Sequence, residues 1–116
     1  MSEGSKTILL IQGGPKNDST IDLSQEITSI GRSPNNDMVA DEPGVSREHA
    51  RIRKVSNECW IEDLGSRNGT FVNGSPVEGE GQRLRNADRI QLGTGTIHWI
   101  FRELDPTVEG RIPPKT

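Results

Sequence analysis

The chain has 116 residues, 29% of them hydrophobic and 27% charged, with fourteen basic and seventeen acidic residues for a net charge of −3. This length excludes a multidomain enzyme but allows one core, because a domain of this size buries roughly 65% of its unfolded surface. The negative charge argues against nucleic acid as a partner, and the single cysteine, Cys59, allows no internal disulfide.

No run of residues resembles a signal peptide or a membrane span, so we expect a protein of the reducing cytoplasm with no membrane insertion. Isoleucine and valine together outnumber leucine by seventeen to seven, and glycine is far commoner than alanine. This balance favours strands over helices. The apolar runs are short and separated by turn formers, which is typical of a β-sandwich or β-barrel.

The first apolar run, residues 8–11, is continuous and ends at a Gly-Gly-Pro turn. It predicts a strand that is covered on both faces. The next long feature, residues 33–46, is rich in Pro, Asn, Asp and Gly and is the longest stretch without strand character. Loops of this kind often carry function. From Gly31 to Arg53 the four arginines are balanced by four acidic residues, which suits a single small anion better than a polyanion.

A second candidate loop covers residues 65–70, and Asn73-Gly74 follows it between two apolar pairs. Asn-Gly is the dipeptide best suited to the two positive-φ positions of a tight hairpin, so we predict a hairpin there. Two stretches, 89–92 and 96–101, show period-two alternation, which predicts strands with one face toward solvent. The large aromatic residues are predicted to fill the core: Trp60, Phe71, Trp99 and Phe101.

The predicted folded body covers residues 7–104. Residues 1–6 and 105–116 lack alternation, and three of the last eleven residues are prolines, so both ends are predicted to be flexible. Thr107 lies in the acidic segment after Leu104. It is a candidate phosphorylation site that would bind the pocket of its own or another copy.

Four short motifs occur in a fixed order: Gly31-Arg32, Ser46-Arg47-Glu48-His49, Asn68-Gly69-Thr70 and Asn73-Gly74. Together with a Trp-containing strand between the second and the third, they resemble the forkhead-associated (FHA) domain, a phosphothreonine-recognition module. The resemblance spans residues 27–103. It implies an all-β, eleven-stranded sandwich of the SMAD/FHA-like type with its binding loops gathered at one end.

The resemblance also implies a role for each matching residue. Arg32 takes the place of the phosphate-binding arginine, and its rigid fork suits charge-assisted bonds to phosphate oxygens. Ser46 takes the place of the serine whose hydroxyl and amide address the phosphate. Asn68 matches the asparagine that hydrogen-bonds the peptide main chain one residue beyond the phosphothreonine.

The neighbouring residues have supporting roles in the same resemblance. Arg47 occupies a variable position beside the phosphate, where it either adds positive charge to the phosphothreonine-binding site or is simply solvated. His49 is expected to be buried and to hold the loop of Ser46. Gly31 and Gly69 support the site. Arg67 departs from the Ser or Thr common at its position, and it either contacts the phosphate or selects acidic residues along the peptide.

The expected partner is therefore a threonine-phosphorylated protein or peptide from a Ser/Thr kinase pathway. The alternative is an interaction or dimerisation domain of the same fold that binds independently of phosphorylation. We expect that the protein is not an enzyme. Ser46 could form a catalytic triad with His49 or His98 and an aspartate, but the sequence contains no G-x-S-x-G motif. Without a metal-spaced His/Cys cluster, we also expect no metal and no cofactor.

Overall fold

The computed structural model describes residues 6–104, which form eleven β-strands and no helix. The predicted eleven-stranded all-β fold is confirmed. In chain order the strands are β1 (Lys6–Gln12), β2 (Thr20–Asp22), β3 (Ile27–Gly31), β4 (Met38–Val39), β5 (Ala50–Val55), β6 (Glu58–Asp63), β7 (Thr70–Val72), β8 (Ser75–Pro76), β9 (Gln82–Arg83), β10 (Arg89–Leu92) and β11 (His98–Leu104).

The strands form two sheets. The six-stranded sheet has the order β2-β1-β11-β10-β7-β8, and the five-stranded sheet has the order β4-β3-β5-β6-β9. The first and last strands, β1 and β11, are antiparallel neighbours, with Lys6 opposite Leu104 and Gln12 opposite His98. The first and the last described strands therefore lie side by side in the larger sheet.

Alternating side chains from both sheets meet in one hydrophobic core. Leu9, Ile90 and Phe101 of the larger sheet are fully buried, as are Ile30 and Ile61 of the smaller sheet. Residues i and i+2 of a strand point to the same face, so each strand contributes every second residue to this core. Burial of these apolar surfaces is the main force that holds the two sheets together.

The hairpin at Asn73-Gly74 is confirmed. β7 and β8 pair with Val72 opposite Ser75, so the two residues between them form the turn. Asn73 has a φ of 53° and Gly74 has a φ of 86°. Both values lie in the left-handed region that this tight hairpin turn requires.

Two local predictions were wrong. The run 8–11 is a strand, but Ile8 and Leu10 are only half-buried because β1 packs against the core with one face. The predicted loop 33–46 contains β4, whose Met38 is buried and pairs in parallel with Ile30 of β3.

The aromatic prediction holds for Trp99 and Phe101, which are 3% and 0% exposed. Trp60 and Phe71 are half-buried instead. The reason is the strand period, because Cys59 and Ile61 occupy the inner face of β6 and direct Trp60 outward.

Lys6 is the first residue of β1, although the predicted N-terminal segment included it. Residues 1–5 and 105–116, with Thr107, lie outside the described residues. Between residues 6 and 104, no helix has the length and apolar character that a bilayer crossing requires.

Candidate functional site

Three loops meet at one end of the sandwich: the β3–β4 loop (32–37), the β4–β5 loop (40–49) and the β6–β7 loop (64–69). The amide of Arg32 donates to the carbonyl of Ser46 (2.9 Å), which joins the first two loops. The amide of Arg67 donates to Ser46 Oγ (3.0 Å), and Asn68 Nδ2 donates to the carbonyl of Gly44 (3.0 Å). Ser46 therefore lies where the three loops join.

A fully buried histidine connects two of these loops. His49 Nδ1 accepts a hydrogen bond from the amide of Ser46 (3.0 Å), and its Nε2 lies 2.7 Å from the carbonyl oxygen of Gly69. An amide can only donate, so Nδ1 carries no proton and the Nε2 proton is donated to Gly69. His49 thus fixes Ser46 relative to the β6–β7 loop.

This arrangement does not form a catalytic triad. Both ring nitrogens of His49 are bonded to backbone groups, and Ser46 Oγ is bonded to the Arg67 amide instead of an imidazole. His98 belongs to β11 and pairs with Gln12 and Gln91, on strands that lie outside the three loops. Among residues 6–104, no group of three or more His, Cys, Asp or Glu side chains is placed to hold a metal ion.

The Ser46 hydroxyl accepts the Arg67 amide and keeps its own hydrogen available to donate. The Ser46 amide already donates to His49, so it is not the free donor that the family resemblance implies. The hydrogen bonds within residues 6–104 leave the next amide, that of Arg47, without a partner. Arg47 is therefore the better source of a backbone donor at this point.

Arg32 is exposed, and its Nε donates to the carbonyl of Val45 (3.1 Å). Its two terminal amino groups have no partner within residues 6–104 and are available to an anion. The preceding glycine has a steric role, because a Cβ at Gly31 would collide with the carbonyl oxygen of Arg47. Gly31 thus allows the backbone before Arg32 to approach the loop of Ser46.

The backbone of Arg47 is held by a residue that the sequence analysis missed. Asn36 Nδ2 donates to the carbonyls of both Arg47 (2.8 Å) and Ser33 (2.9 Å). The Ser33 amide also donates to the Arg47 carbonyl (3.2 Å). In the sequence, the Asn-Asn-Asp run at residues 35–37 indicates a turn, but it does not show that Asn36 contacts Arg47.

Gly69 organises the β6–β7 loop. Its φ of 88° lies in the left-handed region, which glycine adopts at little cost. Its carbonyl accepts from His49 Nε2 and from the Gly93 amide (2.7 Å each), which connects the site to the 93–97 loop before β11. Asn68 is exposed beside it, with its amide nitrogen on Gly44.

Asp63 is a second residue that the sequence analysis missed. Its carboxylate accepts from the hydroxyls of Ser66 and Thr70 and from the amides of Gly65 and Ser66. Burial acts to raise the pKa of Asp63, but these hydrogen bonds outweigh burial and hold the pKa below its ordinary value. The ionised carboxylate therefore stabilises the base of the β6–β7 loop.

We expect acid to destabilise the fold through Asp63. A depressed folded-state pKa means that the stabilisation is present above the ordinary aspartate pKa and is lost as the pH falls through the folded-state pKa. The measurement is the urea midpoint of the wild type and Asp63→Asn between neutral pH and about pH 3. The wild type should lose more stability over this range than Asp63→Asn, and parallel pH profiles of the two proteins would contradict the assignment.

All eight predicted site residues lie at this end of the sandwich, within or directly beside the three loops: Gly31, Arg32, Ser46, Arg47, His49, Arg67, Asn68 and Gly69. The ion pairs of residues 6–104 involve other cations, namely Lys6, Arg51, Arg53 and Arg83. The three arginines of the site are therefore free of carboxylate partners within this part of the chain.

The FHA domain family model matches residues 28–93, more than half of the chain, and the chain therefore belongs to the FHA domain family. A solved structure from an analysis of phosphothreonine-dependent FHA domain interactions is 32% identical, with a TM-score of 0.74. The alignment covers 84% of this chain and 95% of that one.

Two curated relatives are regulatory proteins by name. The glycogen accumulation regulator GarA of Mycobacterium tuberculosis is 43% identical over 86 residues, which are 74% of this chain and 52% of GarA. The oxoglutarate dehydrogenase inhibitor of Corynebacterium jeikeium is 40% identical over 93 residues, which are 80% of this chain and 62% of the inhibitor. The chain thus spans about half the length of GarA and less than two thirds of the inhibitor.

Proposed function

We propose that this protein is a signalling module that binds phosphothreonine in partner proteins through Arg32, Ser46 and Asn68. The observation that carries the proposal is the junction of three loops at Ser46, which places an available hydroxyl beside arginines that have no ion-pair partner among residues 6–104. Membership of the FHA family supports the same function, since the interactions studied for the similar solved domain are phosphothreonine-dependent.

In the proposed complex, the terminal amino groups of Arg32 donate to two phosphate oxygens. The Ser46 hydroxyl and the Arg47 amide donate to the phosphate as well. A phosphate ester carries about −1.5 to −2 charge at pH 7 and has three acceptor oxygens. The proposed site offers several hydrogen-bond donors for these oxygens and a positive charge opposite the negative one. An unmodified threonine offers these donors only a neutral hydroxyl, which makes binding depend on phosphorylation.

Asn68 has a different part in the proposal. Its side-chain amide donates to Gly44 in the free protein, and both are exposed enough to exchange this bond for one to a peptide backbone. An asparagine amide both donates and accepts, so it can pair with the main chain as a neighbouring strand does. This contact fixes the direction of the bound peptide and does not depend on the peptide's side chains.

The proposed partner is a threonine-phosphorylated protein of a Ser/Thr kinase pathway, and the proposed compartment is the cytoplasm. The buried free thiol of Cys59 is compatible with a reducing compartment. The names of GarA and of the oxoglutarate dehydrogenase inhibitor describe a regulator and an inhibitor, which supports a regulatory rather than a catalytic role for this chain.

The test is a titration of the full chain with a degenerate peptide library that has a fixed central threonine in phosphorylated or unmodified form. We expect the protein to enrich the phosphothreonine library and to leave the unmodified one unbound. A phosphoserine library serves as the control for residue type. Equal retention of phosphorylated and unmodified peptides would favour the phosphorylation-independent interaction domain and overturn the proposal.

A further inference from the structure

The site contains more cationic side chains than one phosphate requires. Arg32, Arg47 and Arg67 are all exposed and surround Ser46, and we call them the arginine triad. Arg32 is directed by its bond to Val45, and the Arg47 backbone is clamped by Asn36. A phosphate dianion can be neutralised by two guanidinium groups, so the third charge is available for a second interaction.

Arg67 lies in a loop that contains no acidic residue. It is the only charged residue between positions 64 and 69, whereas Arg47 is followed directly by the exposed Glu48. The nearest carboxylate in sequence, Asp63, is enclosed by four hydrogen bonds from its own loop. Arg67 therefore carries a positive charge that nothing in its own loop compensates.

The backbone of Arg67 is held at the phosphate position, while its side chain is exposed. The Arg67 amide lies 3.0 Å from Ser46 Oγ, and the next residue is Asn68, which is bonded to Gly44. An exposed arginine is long enough to extend past a phosphate bound at Ser46 and contact the residues that flank it. Its planar fork binds carboxylates and phosphates with two parallel hydrogen bonds.

We infer that Arg67 is a specificity-determining residue that binds a second anionic group on the ligand, close to the phosphothreonine. The preferred ligand class is thus a phosphothreonine peptide that carries a neighbouring carboxylate or a second phosphate. This inference rests on the proposed function and adds to it the choice among phosphorylated partners. Because the contact is exposed, its contribution falls as the ionic strength rises.

The experiment compares the wild type with Arg67→Gln and Arg67→Lys on phosphothreonine libraries, followed by individual peptides. Each peptide is made with neutral flanking residues, with aspartate at one flanking position, or with a second phosphothreonine there. We expect the wild type to bind the best acidic peptide roughly 3- to 10-fold more tightly than its neutral counterpart. This ratio should approach 1 in Arg67→Gln and stay intermediate in Arg67→Lys. The aspartate and phosphate arms show which source of charge is preferred.

Arg85→Gln is the matched control, since Arg85 is exposed but lies in the β9–β10 connection, away from the three loops. It should keep the wild-type ratio. If Arg67→Gln weakens neutral and acidic peptides by the same factor, Arg67 contacts the phosphothreonine itself and the inference is overturned. A wild-type protein without preference for acidic peptides overturns it as well. Absence of all phosphopeptide binding would instead refute the proposed function.

Discussion

Replacing Arg32 with alanine is expected to weaken binding of a phosphothreonine peptide by roughly 10- to 100-fold, because charged hydrogen bonds to the phosphate are lost. The terminal amino groups of Arg32 have no other partner among residues 6–104, and the variant loses one side-chain hydrogen bond within the protein, that from Nε to the Val45 carbonyl. We therefore expect the fold to persist while the proposed site loses its main donor. The measurement is an isothermal titration with the tightest peptide from the phosphothreonine library.

Two further variants make this result specific. Arg32→Lys keeps the positive charge but lacks the planar guanidinium group that can form two parallel hydrogen bonds. It should therefore retain only part of the wild-type affinity. Arg85→Ala removes an exposed arginine that is remote from the loops and should bind like the wild type. Unchanged affinity of Arg32→Ala, with both proteins folded, would remove Arg32 from the site.

The second large effect is expected at His49. His49→Ala leaves the Ser46 amide and the Gly69 carbonyl without their partner and opens a cavity in a fully buried position. Unsatisfied buried groups and cavities together cost roughly 2 to 5 kcal/mol of unfolding free energy. The measurement is urea denaturation, with phosphopeptide affinity as the second readout, because Ser46 loses its fixed position.

His98→Ala is the matched control, since His98 is half-buried on β11. This variant should lose much less unfolding free energy than His49→Ala. His49→Gln keeps one acceptor and one donor and should recover part of the stability, which keeps the test informative if His49→Ala does not fold. A urea midpoint of His49→Ala equal to that of the wild type would contradict the role of His49 as the connection between loops.

The fold was predictable where local chemistry alone decides the outcome. Asn73-Gly74 forms a hairpin because both residues tolerate positive φ, a property of the dipeptide itself. The burial of residues 8–11 was harder to predict, because an apolar residue in the sequence does not indicate whether its side chain will face the core or the outer surface of the sheet. Leu10 lies on the outer face next to Ile100, and only the assembled sheet reveals that pair.

The site was predictable in its residues but not in its hydrogen bonds. The spacing of the motifs identified Arg32, Ser46 and Asn68, and all three lie where the loops meet. Their use as a phosphothreonine site stays a prediction. The sequence could not show that the Ser46 amide bonds to His49, because that depends on the orientation of the imidazole ring.

Asn36 and Asp63 illustrate a second limit. Each is a polar residue next to a turn, and such residues usually bond to their own neighbourhood. Asp63 does so, through Ser66 and Thr70, but its effect is to shape the loop that bears Asn68. Asn36 acts on Arg47, eleven residues away, and this contact exists only because β3 and β5 are neighbours in the folded sheet.

The pairing of β1 with β11 also determines how mechanical tension would act on the molecule. A pull applied through Lys6 and Leu104 acts on two residues that face each other at the same end of an antiparallel pair. The hydrogen bonds of such a pair run perpendicular to the strands, so they would break one after another like a zipper and at low force. Gln12 and His98 would separate last, which keeps the loop end of the sandwich farthest from the point where the load enters.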